Sequence, residues 1–208
     1  MTRPVLPSRR ACLLSLWGTL LPVGLVHAGR QIEEPLSHAV RSALSAAVAA
    51  AAPPEPLLPT DSDQQGYAQW QAASSQRLTR YKKHPTERQE FLQTLWYEAR
   101  RAGLPLSLVL GVVQIESAFR KYAISSAGAR GYMQVMPFWA RLIGDGDDSR
   151  LFHMQTNLRF GCVILRHYLD REQGDTFMAL GRYNGSRGQS AYPQAVQAAQ
   201  RGWLDSVD

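Results

Sequence analysis

The chain has 208 residues, of which 45% are hydrophobic and 19% charged, and carries a formal net charge of +6. That length holds one ordinary domain plus extensions. Three of its 23 basic side chains, Arg3, Arg9 and Arg10, lie in the first 28 residues, which contain no acid; the remaining 20 face 17 acidic groups, and no dense basic patch with interleaved aromatics is left to bind nucleic acid.

Those first 28 residues read as a signal peptide. A basic start is followed by an apolar core from Ala11 to Val26 and a small-residue cleavage pattern at Val26-His27-Ala28. Broken by Gly18, Pro22 and Gly24, the core is short for a membrane anchor, so cleavage after Ala28 is expected. Ser8-Arg9-Arg10 with Leu13-Leu14 leaves the twin-arginine route open beside ordinary secretion. No later run is apolar and long enough to cross a bilayer, so the expected product is exported, periplasmic and without a stable membrane span. Cys162 is then the one mature cysteine, which leaves no intramolecular disulfide, and its helical setting beside Val163, Ile164 and Leu165 predicts a packed thiol.

Residues 29–62 read as an Ala/Pro-rich linker: Ala43 to Ala52 is nearly all alanine, and Pro53, Pro54, Pro56 and Pro59 forbid regular structure after it. The alanine stretch allows a short helix that buries little. From 63 to 208 the expected domain is all-α, because no stretch keeps a strand's period of two. The helices are placed at about 63–82, 86–102, 105–118, 133–143, 155–172, 175–183 and 191–201, with Gly144 to Ser149 as a loop.

The helix at 105–118 carries the candidate chemistry. Glu116 is the one ionisable side chain between Arg101 and Arg120, one turn beyond Val112 and Val113. Desolvation and the negative end of the helix dipole both oppose its ionisation, which makes it a candidate general acid. A buried structural glutamate, neutralised by arginine or backbone, is the competing reading. The small-residue loop Ser125 to Gly131 and the segment Tyr132-Met133-Gln134-Val135-Met136-Pro137 follow, a mixture of amide, thioether and aromatic groups suited to a sugar. The five histidines show no metal spacing, and no phosphate-binding loop or serine elbow is present, so no metal and no cofactor is expected.

Glu116-Ser117 followed by Gly128 to Pro137 resembles the E-S and G-x-x-G-L-M-Q-[IVL]-M-P signature of the family 1 lytic transglycosylases, the soluble murein transglycosylase type. Asn157-Leu158 with Gly161 and Leu169 resembles the family's N-I-x-x-G-x-x-Y-L helix, and Tyr183-Asn184-Gly185 its A-Y-N-A-G block; the four blocks stand in the family's order, within a motif core of 104–201. The resemblance implies a lysozyme-like helical fold and a carbon-oxygen lyase acting on peptidoglycan glycan strands. It would cleave the β-1,4 bond between N-acetylmuramic acid and N-acetylglucosamine and leave 1,6-anhydromuramic acid ends, with Glu116 as acid and then base. Ser125, Gln134, Met136, Tyr183 and Asn184 match positions that line the family's groove, Tyr183 with its hydroxyl toward Glu116 or the developing cation. For Ser117 and Asn157 the resemblance allows sugar contact, and hydrogen bonding at helix ends is the structural alternative.

Tyr132 stands where the family has leucine, Gly185-Ser186 replaces Ala-Gly, and Gly188-Gln189 before Tyr192-Pro193 replaces an acid before a Tyr-Val pair. Two other readings stand beside the transglycosylase: a hydrolase of the goose-type lysozyme kind, and a non-catalytic peptidoglycan-binding component of a secretion apparatus. The absence of a well-placed second acid speaks against the first, and the retained Glu116 against the second. Cell-wall or secretion machinery as a further partner is left open.

Overall fold

The structure is a computed structural model and describes residues 31–49 and 60–204. The expected signal peptide lies outside those residues, as do positions 29–30 and 50–59 of the expected linker. Among the described residues the secondary structure is helical: α1 (His38–Ala49), α2 (Asp61–Leu78), α3 (Pro85–Arg101), α4 (Leu106–Ser117), α5 (Pro137–Ile143), a 3-10 turn (Asp148–Phe152), α6 (Met154–Arg171), α7 (Thr176–Asn184) and α8 (Ala191–Arg201). Extended pairing is confined to isolated bridges, Ile124 to Arg130 and Arg130 to Val135.

Local chemistry sets the ends. Thr60 and Asp63 form a reciprocal capping box at the start of α2, with the Asp63 amide donating to Thr60 Oγ1 at 3.1 Å and the Thr60 amide donating to Asp63 Oδ2 at 3.2 Å. Pro85 and Pro137 open α3 and α5, where a missing N–H costs nothing. Asp175 caps α7 by accepting from the Met178 amide at 3.0 Å, and Gly185 ends it in the left-handed conformation at φ 80°.

Helix α4 is the centre. Its residues Leu106, Val109, Leu110, Val112 and Val113 are fully buried, so it is apolar all round rather than amphipathic. Helix α8 lies close across it because Gly111 has no side chain; a Cβ there would stand 3.0 Å from the Val196 carbonyl and from the Gln200 amide. Helices α3 and α6 pack on each other and are joined by a buried ion pair, Arg159 Nη2 to Glu98 Oε1 at 2.8 Å. The aromatic rings of Phe91, Phe119, Tyr81 and Trp203 fill the space behind the end of α4.

Two expectations change here. The helix placed at 133–143 begins at Pro137, because Gln134 adopts φ 49° and the residue before a proline avoids the helical region. The linker placed at 29–62 does not describe residues 31–49. Helix α1 packs on α5 and α6, buries Leu44, and is held by Arg101 donating to the Ala47 carbonyl; ahead of it, Glu34 pairs with Arg171 and Arg182.

Candidate active site

Glu116 sits in the last turn of α4, which ends in two successive left-handed residues, Ala118 at φ 49° and Phe119 at φ 61°. Such conformations cost about 1–3 kcal/mol each for residues with a side chain, and Phe119 is held there by burial among aromatic rings. The sharp exit brings the following segment back against the helix. Ser117 Oγ donates to the Tyr132 carbonyl at 2.7 Å and lies 3.1 Å from the Val113 carbonyl, so segment 131–135 is tied beside the acid.

That segment is clamped from further sides. Asn157, wholly buried on α6, accepts from the Met133 amide at 2.8 Å and donates to the carbonyls of Arg130 and Leu151, each at 2.8 Å. Gly131 makes room for it: at φ 75°, a Cβ would fall 2.4 Å from Asn157 Nδ2. Gly161 does the same for Met133, whose sulfur a Cβ would meet at 2.3 Å. Gln134, buried and left-handed, donates through Nε2 to the carbonyls of Ala123 at 3.1 Å and Gly131 at 2.9 Å.

The acid itself is 5% exposed. Tyr192, reaching over from α8, donates its hydroxyl to Glu116 Oε1 at 2.6 Å, whereas Glu116 Oε2 is buried without a hydrogen-bond partner. Burial pushes the carboxyl up to about 8, and the Tyr192 hydrogen bond pulls the other way with less effect. Glu116 is therefore mainly protonated at neutral pH, and burial together with its charge keeps the Tyr192 phenol well above the usual range, a neutral donor.

The expected site residues divide. Tyr183 is near enough for the Glu116 charge to raise its phenol, but its hydroxyl donates to the Met133 carbonyl at 2.7 Å and not to Glu116. The hydroxyl that meets Glu116 is that of Tyr192, on the segment where the chain departs from the family pattern. Ser117 and Asn157 are buried and hydrogen-bonded to the 131–135 segment. Ser125 is half-buried and its hydroxyl accepts from the Ala129 amide at 3.1 Å, and Met136 is half-buried at the start of α5. Asn184 is buried, its Oδ1 accepting from Ser186 Oγ at 3.0 Å. Tyr132 points away from any sugar-binding role: its hydroxyl accepts from Lys82 Nζ at 2.9 Å, and Lys82 lies over the Phe91 ring.

Asp145, Asp147 and Asp148 are engaged elsewhere, Asp145 with Arg150, Asp147 with Ser149 and Asp148 with Arg130 at 2.9 Å. A cavity of about 890 Å³ lies between the end of α1 and α6 and is lined by Val48, Asp145, Arg150, His153, Arg159 and Phe160 among others; Glu116 does not line it. Among the described residues no helix is long and apolar enough to cross a membrane.

Parts of the chain are similar to known proteins. The chain is 37% identical over 115 residues to the membrane-bound lytic murein transglycosylase C of Histophilus somni strain 2336, covering 48% of this chain and 32% of that protein. It is 34% identical over 101 residues to a transglycosylase of Enterobacteria phage PRD1, covering 49% of this chain and 37% of the phage protein. The chain thus spans about a third of the length of such curated relatives. Among solved structures, the lytic transglycosylase Slt of Pseudomonas aeruginosa aligns with 66% of this chain and 27% of its own, at 23% identity and a TM-score of 0.44. The transglycosylase SLT domain model matches residues 94–205, more than half of the chain and all of the segment that builds the Glu116 site, and the chain belongs to that family.

Proposed function

We propose that this chain is a peptidoglycan lytic transglycosylase, cleaving the β-1,4 bond between N-acetylmuramic acid and N-acetylglucosamine with a single carboxyl group. The observation that carries the reading is the state of Glu116: buried, protonated at neutral pH, held by Tyr192 through one oxygen and unpartnered at the other. A proton on Oε2 is free to pass to the leaving glycosidic oxygen. Ordinary glycosidases add a second carboxylate, and the acids that follow Glu116 in sequence, Asp145, Asp147 and Asp148, are engaged with Arg150, Ser149 and Arg130, which favours assistance by the substrate's own N-acetyl group. The carboxylate left behind then takes the proton of the muramic acid C6 hydroxyl as that oxygen closes the 1,6-anhydro ring. Tyr192 stabilises the carboxylate between the two steps by keeping its hydrogen bond to Oε1. Ser125, Gln134, Met136, Tyr183 and Asn184 are assigned to the substrate groove as lining or support.

The four sequence blocks support the family 1 subtype. Residues 1–28 are assigned as an export signal and the periplasm as the site of action, in keeping with the cell-wall substrate. Mass analysis of products from purified sacculi tests the function: muropeptides ending in 1,6-anhydromuramic acid support it, and reducing muropeptides in their place contradict it.

A further inference from the structure

Trp203 follows α8 in sequence and is 1% exposed. Its indole N–H donates to Gln114 Oε1 at 2.8 Å, two residues before Glu116, and its ring stands edge-on to that of Phe119, three residues after Glu116, with centroids 5.5 Å apart. One side chain therefore grips the chain on both sides of the acid. Phe119 is left-handed at φ 61°, a conformation that persists only where packing over-determines it, and Trp203 joins Tyr81 and Phe91 in that packing. A buried tryptophan also needs an acceptor for its N–H, so the bond to Gln114 fixes which way the ring lies.

The same residue ends the stretch that carries the acid's hydrogen-bond donor. Tyr192 lies in the first turn of α8, where Ser190 makes no side-chain capping bond, so the helix is held by what it packs on and by its far end. At that end the Trp203 amide donates to the Gln200 carbonyl at 2.8 Å, and Gln200 Nε2 donates to Ser107 Oγ at 3.2 Å. Helix α8 thus runs antiparallel to α4, with Gln200 over Ser107 at one end and Tyr192 over Glu116 at the other. We infer that Trp203 is a positioning residue for Glu116, holding the last turn of α4 through Gln114 and Phe119 and setting α8 where the Tyr192 hydroxyl reaches the carboxyl. It lies outside the four sequence blocks, and its effect on turnover rests on the proposed transglycosylase activity. Of the ionisable groups on the elements around Glu116, the phenols of Tyr192 on α8 and Tyr183 on α7 register its charge, and burial keeps both neutral.

A double-mutant cycle in the full-length chain tests it, read first without any activity by carbon-13 titration of the Glu116 carboxyl, with Glu116→Gln identifying its resonance. Trp203→Phe keeps a ring against Phe119 and removes the N–H that binds Gln114. It should raise the Glu116 midpoint above its native value of about 8 by roughly half a unit to one unit, because the Tyr192 hydrogen bond that favours the ionised acid is weakened. In a Tyr192→Phe background the same change should move the midpoint no further, since the group it sets in place is gone. On sacculi, Trp203→Phe should lower kcat about tenfold with KM within about twofold, and this loss too should vanish in the Tyr192→Phe background. An unmoved midpoint, equal shifts in both backgrounds, or a midpoint that falls because water reaches the acid would overturn the inference, as would a lowered melting temperature with unchanged kcat. If Trp203→Phe does not fold, Gln114→Met, which removes the acceptor and keeps the length, carries the same cycle. A native protein that gives the expected midpoints but cleaves nothing would contradict the proposed function and leave the placement of the acid by Trp203 standing.

Discussion

Tyr192 on α8 donates a hydrogen bond to Glu116 on α4 at 2.6 Å, and the two residues lie 76 positions apart in sequence. The bond favours the ionised acid, whereas burial favours the neutral one, and burial prevails. Tyr192→Phe should therefore raise the Glu116 pKa above about 8 and move the alkaline fall of the pH–activity profile to higher pH. It should also lower kcat by roughly 10–100-fold, because the carboxylate formed between the steps loses its donor. A profile that keeps its alkaline limb in place would show that the phenol does not tune the acid.

A carboxyl whose pKa is raised by folding also weakens the fold as pH rises. Folding lifts Glu116 from the ordinary 4.5 to about 8, so below about 4.5 the group costs nothing. The penalty grows between the two values and is complete above about 8. Glu116→Gln removes it and should be the more stable protein at pH 7, on the order of 3 kcal/mol by the linkage relation. Thermal unfolding of both proteins from pH 4 to 9 checks this. A stability gap that widens toward acid, rather than toward alkali, would have the wrong sign for a neutral buried acid.

Asn157 satisfies one buried amide and two carbonyls. Asn157→Ala leaves all three without it, and denaturant unfolding should register a loss of about 3–4 kcal/mol. A loss below about 1 kcal/mol would mean that water or a neighbour replaces the amide easily. Gly131→Ala tests the same junction from the other side, since its Cβ would collide with Asn157 in a left-handed backbone.

Cys162 is 1% exposed, and burial raises its thiol well above the usual value. A bulky thiol reagent should modify native protein far more slowly than unfolded protein. Fast labelling with loss of activity would contradict its place in the α6 core.

Helical periodicity made most of this architecture legible. The helices placed at 86–102, 155–172 and 191–201 are found at 85–101, 154–171 and 191–201, and the lone acid of the apolar run is the buried acid of the site. The partner of that acid was not legible. Tyr192 has the helical spacing of any core tyrosine, and only the close approach of α8 at Gly111 decides that its hydroxyl meets Glu116. Tyr183 carried the stronger motif and proved to serve the backbone of Met133. The alanine-rich start read as a linker because it holds few large apolar side chains; what docks it is Leu44 in the core with Leu36, Val40 and Val48 packed against it, together with Gln31, Glu34 and two backbone carbonyls, whose partners lie far along the chain. Tyr132 opens the segment whose mixture of groups suited a sugar, but its hydroxyl is taken by Lys82 from the turn before α3.

In the proposed reaction one carboxyl, Glu116, donates and then recovers a proton while the substrate's own C6 hydroxyl closes the ring. The measurement that tests it most directly is the mass of the muropeptides released from purified sacculi by the native protein, with Glu116→Gln run beside it. The native protein should release 1,6-anhydromuramic acid ends, lighter by one water than reducing ends, and the variant should reach at most about 1% of that rate. Reducing ends in place of anhydro ends, or a variant that turns over near the native rate, would contradict it.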